Sequence, residues 1–175
     1  NPDSWEISNP AAETTDAETL IERALRYKKY WGKDGKRGGI TVILDCYNAS
    51  PTSMESSLSV LGGMECSGRK CAVLGDMLEL GEYSEHLHRK VGRAFEGMDI
   101  DTLYTYGAEA RYIADSAGEY VRSVHSYGAD ERDELADALL TELHTGDTVL
   151  FKASNGMRLG ELAQELLDRT EEPQR

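Results

Sequence analysis

From Ile40 onward the chain alternates between short β-rich runs and segments whose apolar positions recur every three or four residues. The runs are "ITVIL", "CAVL", "LYTY", "VRSVH" and "TVLF". The segments between and after them carry helical stripes: Met54, Leu58 and Leu61; Leu87, Val91, Ala94 and Phe95; Ala110, Ile113, Ala114 and Ala117; Leu135 and Leu139; Leu159, Leu162 and Leu166. Five successive βα units predict a three-layer α/β domain whose mostly parallel sheet of five or six strands is covered by helices on both faces. "VRSVH" is the most polar run and carries an Arg and a His, which suits an edge strand.

Upstream the pattern differs. Residues 1–15 show no periodicity and contain Pro2 and Pro10, and they read as a linker or tail. Asp16 reads as an N-cap, and Leu20, Ala24, Tyr27 and Trp31 as one stripe of an additional helix, broken by "GKDGKRGG" from Gly32 to Gly39. The domain itself is expected from residue 38 to 170, with 171–175 as a tail. The opening lacks an initiator Met and is polar and of low complexity, as expected of a piece of something longer.

Charge and composition narrow the partners. With 19 Lys and Arg against 32 Asp and Glu in 175 residues, the net charge is -13, so the surface should repel nucleic acid and anionic membranes. No stretch reaches the ~20 apolar residues of a membrane helix. Cys46, Cys66 and Cys71 are odd in number and lack C-x-x-C spacing, which argues against a disulfide framework or a structural zinc site and suits the cytoplasm.

In an open parallel sheet, ligands sit beyond the carboxyl ends of the strands. Three of those ends are rich in polar groups. After the first strand, "DCYNASPTS" offers Asp45 and Asn48, suited to a ribose diol or to an ammonium and carbonyl, with Tyr47 able to stack or donate. Ser50 suits the cap of a helix that Pro51 begins. After the second, "GDMLELGE" places Asp76 beside a Gly with Glu79 three residues on, acids that could hold an ammonium, support a metal or simply form a turn. After the fifth, Lys152 and Ser154 suit a carboxylate or phosphate, or Lys152 a structural ion pair with Asp45 or Asp76. His86 and His88 lie about 200° apart on a helix and are poor co-ligands; a solvated helical His is the expectation for His88. Cys46 has no base beside it in sequence and reads as a bystander. Neither G-x-x-x-x-G-K-[ST] nor G-x-G-x-x-G is present.

"DCYNASPTSM", "VLGDMLELGEYSEHLH" and "FKASNGMRLGEL", in this order, resemble the C-terminal domain of the Mur ligases of peptidoglycan synthesis, from about Ile40 to the last helix. The branch they resemble most adds D-alanyl-D-alanine to UDP-N-acetylmuramoyl-tripeptide. The resemblance implies a Rossmann-like lid domain of an ATP-dependent amide ligase, inactive alone, with ATP and Mg held mainly by a preceding central domain and the UDP-sugar by an N-terminal one. It implies no catalytic or metal-binding residue here. Asp45, Asn48 and Tyr47 would face the nucleotide, while Asp76, Glu79, Lys152, Ser154 and Ser50 would line the dipeptide site.

Several positions depart from the family pattern. Leu44 stands where a second acid is frequent, Ser50 where Asn is, and Asn155 where Arg is; Arg37 only weakly matches the arginine that precedes the domain. Two other readings compete. A signalling receiver also uses five βα units with an acid after the first strand and a Lys after the fifth, but it needs an Asp after the third, where this chain has Tyr106-Gly107. A free-standing nucleotide-binding module would want the missing phosphate loop.

Overall fold

Each apolar run from Ile40 on is a strand and each striped segment contains a helix in the computed structural model, which describes residues 28–29 and 40–171. The elements are β1 (Lys28–Lys29), β2 (Ile40–Asp45), α1 (Pro51–Gly63), β3 (Lys70–Gly75), α2 (Ser84–Arg93), β4 (Thr102–Tyr106), α3 (Arg111–Ala117), β5 (Ser123–Tyr127), α4 (Arg132–Glu142), β6 (Thr148–Lys152) and α5 (Leu159–Glu171). The helix expected from Asp16 lies outside the described residues except at its end. There Lys28 and Lys29 instead pair antiparallel with Thr41 and Ile40, taking the free side of β2. The polar run is displaced by two residues, since the strand begins at Ser123, but it does occupy a sheet edge.

The sheet runs β1-β2-β6-β3-β4-β5, with β2 to β6 mutually parallel. Side chains alternate between its faces, as strand geometry requires. Ile43, Ala72, Leu74, Leu103 and Leu150 pack under α1, α2 and α3 with Met54, Leu58, Val91, Phe95 and Ile113. Val42, Leu44, Val73, Tyr104, Val149 and Phe151 pack on the other side with Leu135, Leu139, Leu159, Leu162 and Leu166 from α4 and α5. Among the described residues no helix is long and apolar enough to cross a membrane.

The last strand is inserted between the first and second parallel strands. A receiver carries its five strands in the order 2-1-3-4-5, so the observed order removes that reading. The same insertion makes β6 special. Its chain leaves toward α5 on one face while both neighbours, β2 and β3, send theirs to α1 and α2 on the other. Loops that part in opposite directions leave a crevice between them, the place where open α/β sheets bind ligands.

Candidate ligand pocket at the carboxyl edge

A pocket of about 380 Å³ opens at that crevice. Tyr47 and Asn48 line it from the loop after β2, Leu78 and Glu79 from the loop after β3, and Ser154 and Asn155 from the loop after β6. The three stretches singled out in the sequence therefore meet around one cavity. Tyr47 and Leu78 are 44% and 41% exposed, so the mouth offers apolar surface beside polar groups.

Beneath the pocket lies a buried ion pair. Asp45 and Lys152 are paired residues of adjacent strands, and Lys152 Nζ donates to Asp45 Oδ2 at 2.8 Å. Lys152 is 0% exposed, and its second hydrogen bond goes to the Asn48 carbonyl at 3.2 Å. Ser57 on α1 donates to the same Asp45 oxygen at 3.0 Å. A charge taken out of water survives only when paired and hydrogen-bonded. Here the pairing also ties the Asn48 turn to the sheet.

Further bonds join the loops to one another. Asn155 N–H donates to the Tyr47 carbonyl, Ser154 N–H to the Asp76 carbonyl, and Leu78 N–H to Ser154 Oγ at 2.9 Å. Ser50 is the N-cap of α1, its hydroxyl accepting from Ser53 N–H while Ser53 Oγ accepts from Ser50 N–H, with Pro51 as first helical residue. Asp76 turns sideways, and its Oδ1 accepts from Glu109 N–H at 3.1 Å and Ala110 N–H at 2.6 Å. Burial pushes its carboxyl above the usual range, against the pull of those two N–H groups. Gly107 has φ of +120°, and a Cβ there would stand 2.3 Å from Asp76 Oδ1, so the turn admits the carboxylate only because it is glycine.

Of the candidate residues, Tyr47, Asn48, Glu79 and Ser154 face the cavity. Asp45, Lys152 and Asp76 are engaged inside the protein, and the exposed Ser50 caps α1. Glu79 is exposed and has φ of +65°, a left-handed conformation that aims an acidic side chain at the cavity rim. His88 is 0% exposed rather than solvated. Its signal was present in the sequence: it lies three and four residues from Val91 and Gly92, on the buried stripe of α2. Cys46 donates to the Phe151 carbonyl, and burial, with Asp45 adding to it, raises its thiol to about 12, so it is no nucleophile at neutral pH. Among the described residues no three His, Cys, Asp or Glu side chains gather as a metal site would require.

Comparison with known proteins gives the family. The family described as "Mur ligase, glutamate ligase domain" matches residues 33–155. The UDP-N-acetylmuramoyl-tripeptide--D-alanyl-D-alanine ligase of Bacillus subtilis is 38% identical over 130 residues, covering 74% of this chain and 28% of the relative. The enzyme of the same description from Synechocystis is 34% identical over 145 residues, covering 83% and 30%. Among solved structures, the MurF ligase of Thermotoga maritima in complex with ADP superposes with a TM-score of 0.62 at 28% identity, over 95% of this chain and 36% of that one. The chain spans less than a third of the length of these two curated relatives.

Proposed function

The chain belongs to the Mur ligase family, in its glutamate ligase domain, and from that premise we propose that it is the C-terminal domain of an ATP-dependent ligase joining D-alanyl-D-alanine to UDP-N-acetylmuramoyl-tripeptide. The observation that carries the reading is the pocket formed where the loops after β2, β3 and β6 converge. Tyr47 and Asn48 form its nucleotide side, an aromatic face and an amide for an adenosine. Glu79 receives the ammonium of the incoming dipeptide, and Ser154 and Asn155 its carboxylate. Asp45 and Lys152 act from beneath by fixing the Asn48 turn, and Asp76 and Ser50 by shaping the loops.

With no phosphate loop in the sequence, the triphosphate and its Mg²⁺ belong to the preceding domains, and the domain alone is inactive. The substrate carboxylate is activated there as an acyl phosphate. The dipeptide ammonium first loses a proton; the resulting amine attacks the carbonyl carbon, the C–N bond forms, the C–O bond to phosphate breaks, and the second nitrogen proton leaves as phosphate departs. This domain contributes position: holding the amine near the carbonyl converts an encounter into an intramolecular step. Three unpaired thiols suit its place in the cytoplasm.

The test is steady-state kinetics of the full-length ligase. Glu79→Gln should raise KM for D-alanyl-D-alanine by about 10- to 100-fold, the range of a lost charged hydrogen bond, and leave KM for ATP unchanged. Asn48→Ala should do the reverse. Both KM values unmoved in both variants would overturn the pocket assignment.

A further inference from the structure

We propose that His88 is a positioning residue whose imidazole, held as the Nδ1–H tautomer, sets the backbone of the Met77–Glu79 wall of the pocket. The link to catalysis rests on the ligand reading above; the link to the wall does not.

The tautomer follows from its partners. Met77 N–H can only donate, and it points at His88 Nε2 from 3.0 Å, so that nitrogen accepts. The Ser84 carbonyl can only accept, and it lies 2.7 Å from Nδ1, so that nitrogen carries the proton. Ser84 Oγ donates to Glu109 Oε2 at 2.8 Å, and Glu109 N–H donates to Asp76 Oδ1. Asp76 precedes Met77, which closes a ring through α2, the loop after β3 and the turn after β4. His88 is the member of the ring that joins the first turn of α2 to the pocket wall.

The wall needs such a support. Met77 is 1% exposed, so its N–H has no access to water and requires an internal acceptor. The next two residues, Leu78 and Glu79, line the pocket, and Glu79 is in the left-handed region, where a non-glycine residue persists only if its surroundings fix it. An apolar residue of similar size would fill the site of His88 and orphan the Met77 N–H. The loop would then shift to satisfy it and carry Glu79 with it. His86, on the exposed side of the same helix, has no such task.

The experiment compares His88→Leu, His88→Asn and His88→Gln in the full-length protein. Gln can place its amide oxygen near the Nε2 position, whereas Asn reaches only the Nδ1 position and Leu replaces neither bond. Hydrogen exchange of the Met77 and Leu78 amides should quicken in the Leu and Asn variants and stay slow in Gln. KM for D-alanyl-D-alanine should rise about tenfold in Leu and Asn, with KM for UDP-N-acetylmuramoyl-tripeptide unchanged and Gln near wild type. Unchanged exchange in the Leu variant overturns the proposal, as does equal loss in all three. Should Leu fail to fold, the Asn and Gln pair decides, and nitrogen NMR of the wild-type imidazole must show a protonated Nδ1 and a bare Nε2. Faster exchange with every KM unmoved supports the positioning of the wall and overturns the ligand reading instead.

Discussion

The two edges of the sheet use similar residues to opposite ends. At the amino edge, Asp147 is 3% exposed and closes the loops on themselves: it accepts from Arg69 N–H and His144 N–H, each at 2.8 Å, and pairs with the Arg69 guanidinium at 3.3 Å. Gly68 N–H donates to the Gly146 carbonyl, and a Cβ on Gly68 would lie 2.5 Å from Asp147 Oδ1. The buried carboxylate there is turned inward onto two backbone N–H groups and a guanidinium. At the carboxyl edge Asp45 is as buried as Asp147 and its partner Lys152 is buried too, whereas Arg69 is 44% exposed; yet the loops above the Asp45–Lys152 pair part, because β6 sends its chain to the opposite face from its neighbours. The difference teaches that a buried ion pair marks a site only through what it supports.

That contrast can be broken most forcefully at Lys152. Lys152→Met leaves Asp45 buried without its cation and should cost about 3–5 kcal/mol in urea unfolding, whereas Asp45→Leu combined with Lys152→Met should recover most of it. A single-variant cost below about 1 kcal/mol would mean that the pair is solvated. Next in size is Asp147→Ala, which removes the acceptor of two part-buried backbone N–H groups and should cost about 1–3 kcal/mol in all. It should lower stability while leaving KM for ATP and dipeptide unchanged well below its melting temperature. Glu79→Gln should do the opposite, changing KM with a Tm close to wild type. An Asp147→Ala enzyme with altered KM would erase the distinction between the edges.

The sequence made much of this legible, and unevenly. Period-2 and period-3.6 patterns located the strands and helices because each element buries one stripe, and the polar character of "VRSVH" identified an edge. The three chemically rich strand ends were visible as residue types crowded after apolar runs. Strand order was not visible: nothing in the local pattern of "TVLF" says that it inserts beside "ITVIL". That insertion decides that Lys152 meets Asp45. Which polar residues turn inward was equally hidden. Asp76 and Glu79 are three residues apart on one loop, and the first caps a neighbouring turn while the second reaches the cavity. The burial of His88 is invisible to a stripe defined by apolar residues alone, because an imidazole with two backbone partners packs as part of a core.

The smallest predicted effect sharpens the comparison between the two buried acids. Asp147 has a guanidinium beside it, but Asp76 has mainly backbone N–H groups, and burial raises its carboxyl in the folded protein. The folded state therefore holds the Asp76 proton more tightly than the unfolded chain, so unfolding releases protons across the window between the ordinary value of about 3.9 and the raised one. Stability from this group is present below that window and is lost as pH rises through it. Asp76→Asn keeps an oxygen for Glu109 and Ala110 N–H and removes the titration. The Tm of the variant minus that of the wild type should grow as pH rises from about 4 toward neutrality, and then level off. A difference that instead falls with pH would show that the two N–H bonds to the carboxylate outweigh its burial, and Asp76 would then resemble Asp147 rather than contrast with it.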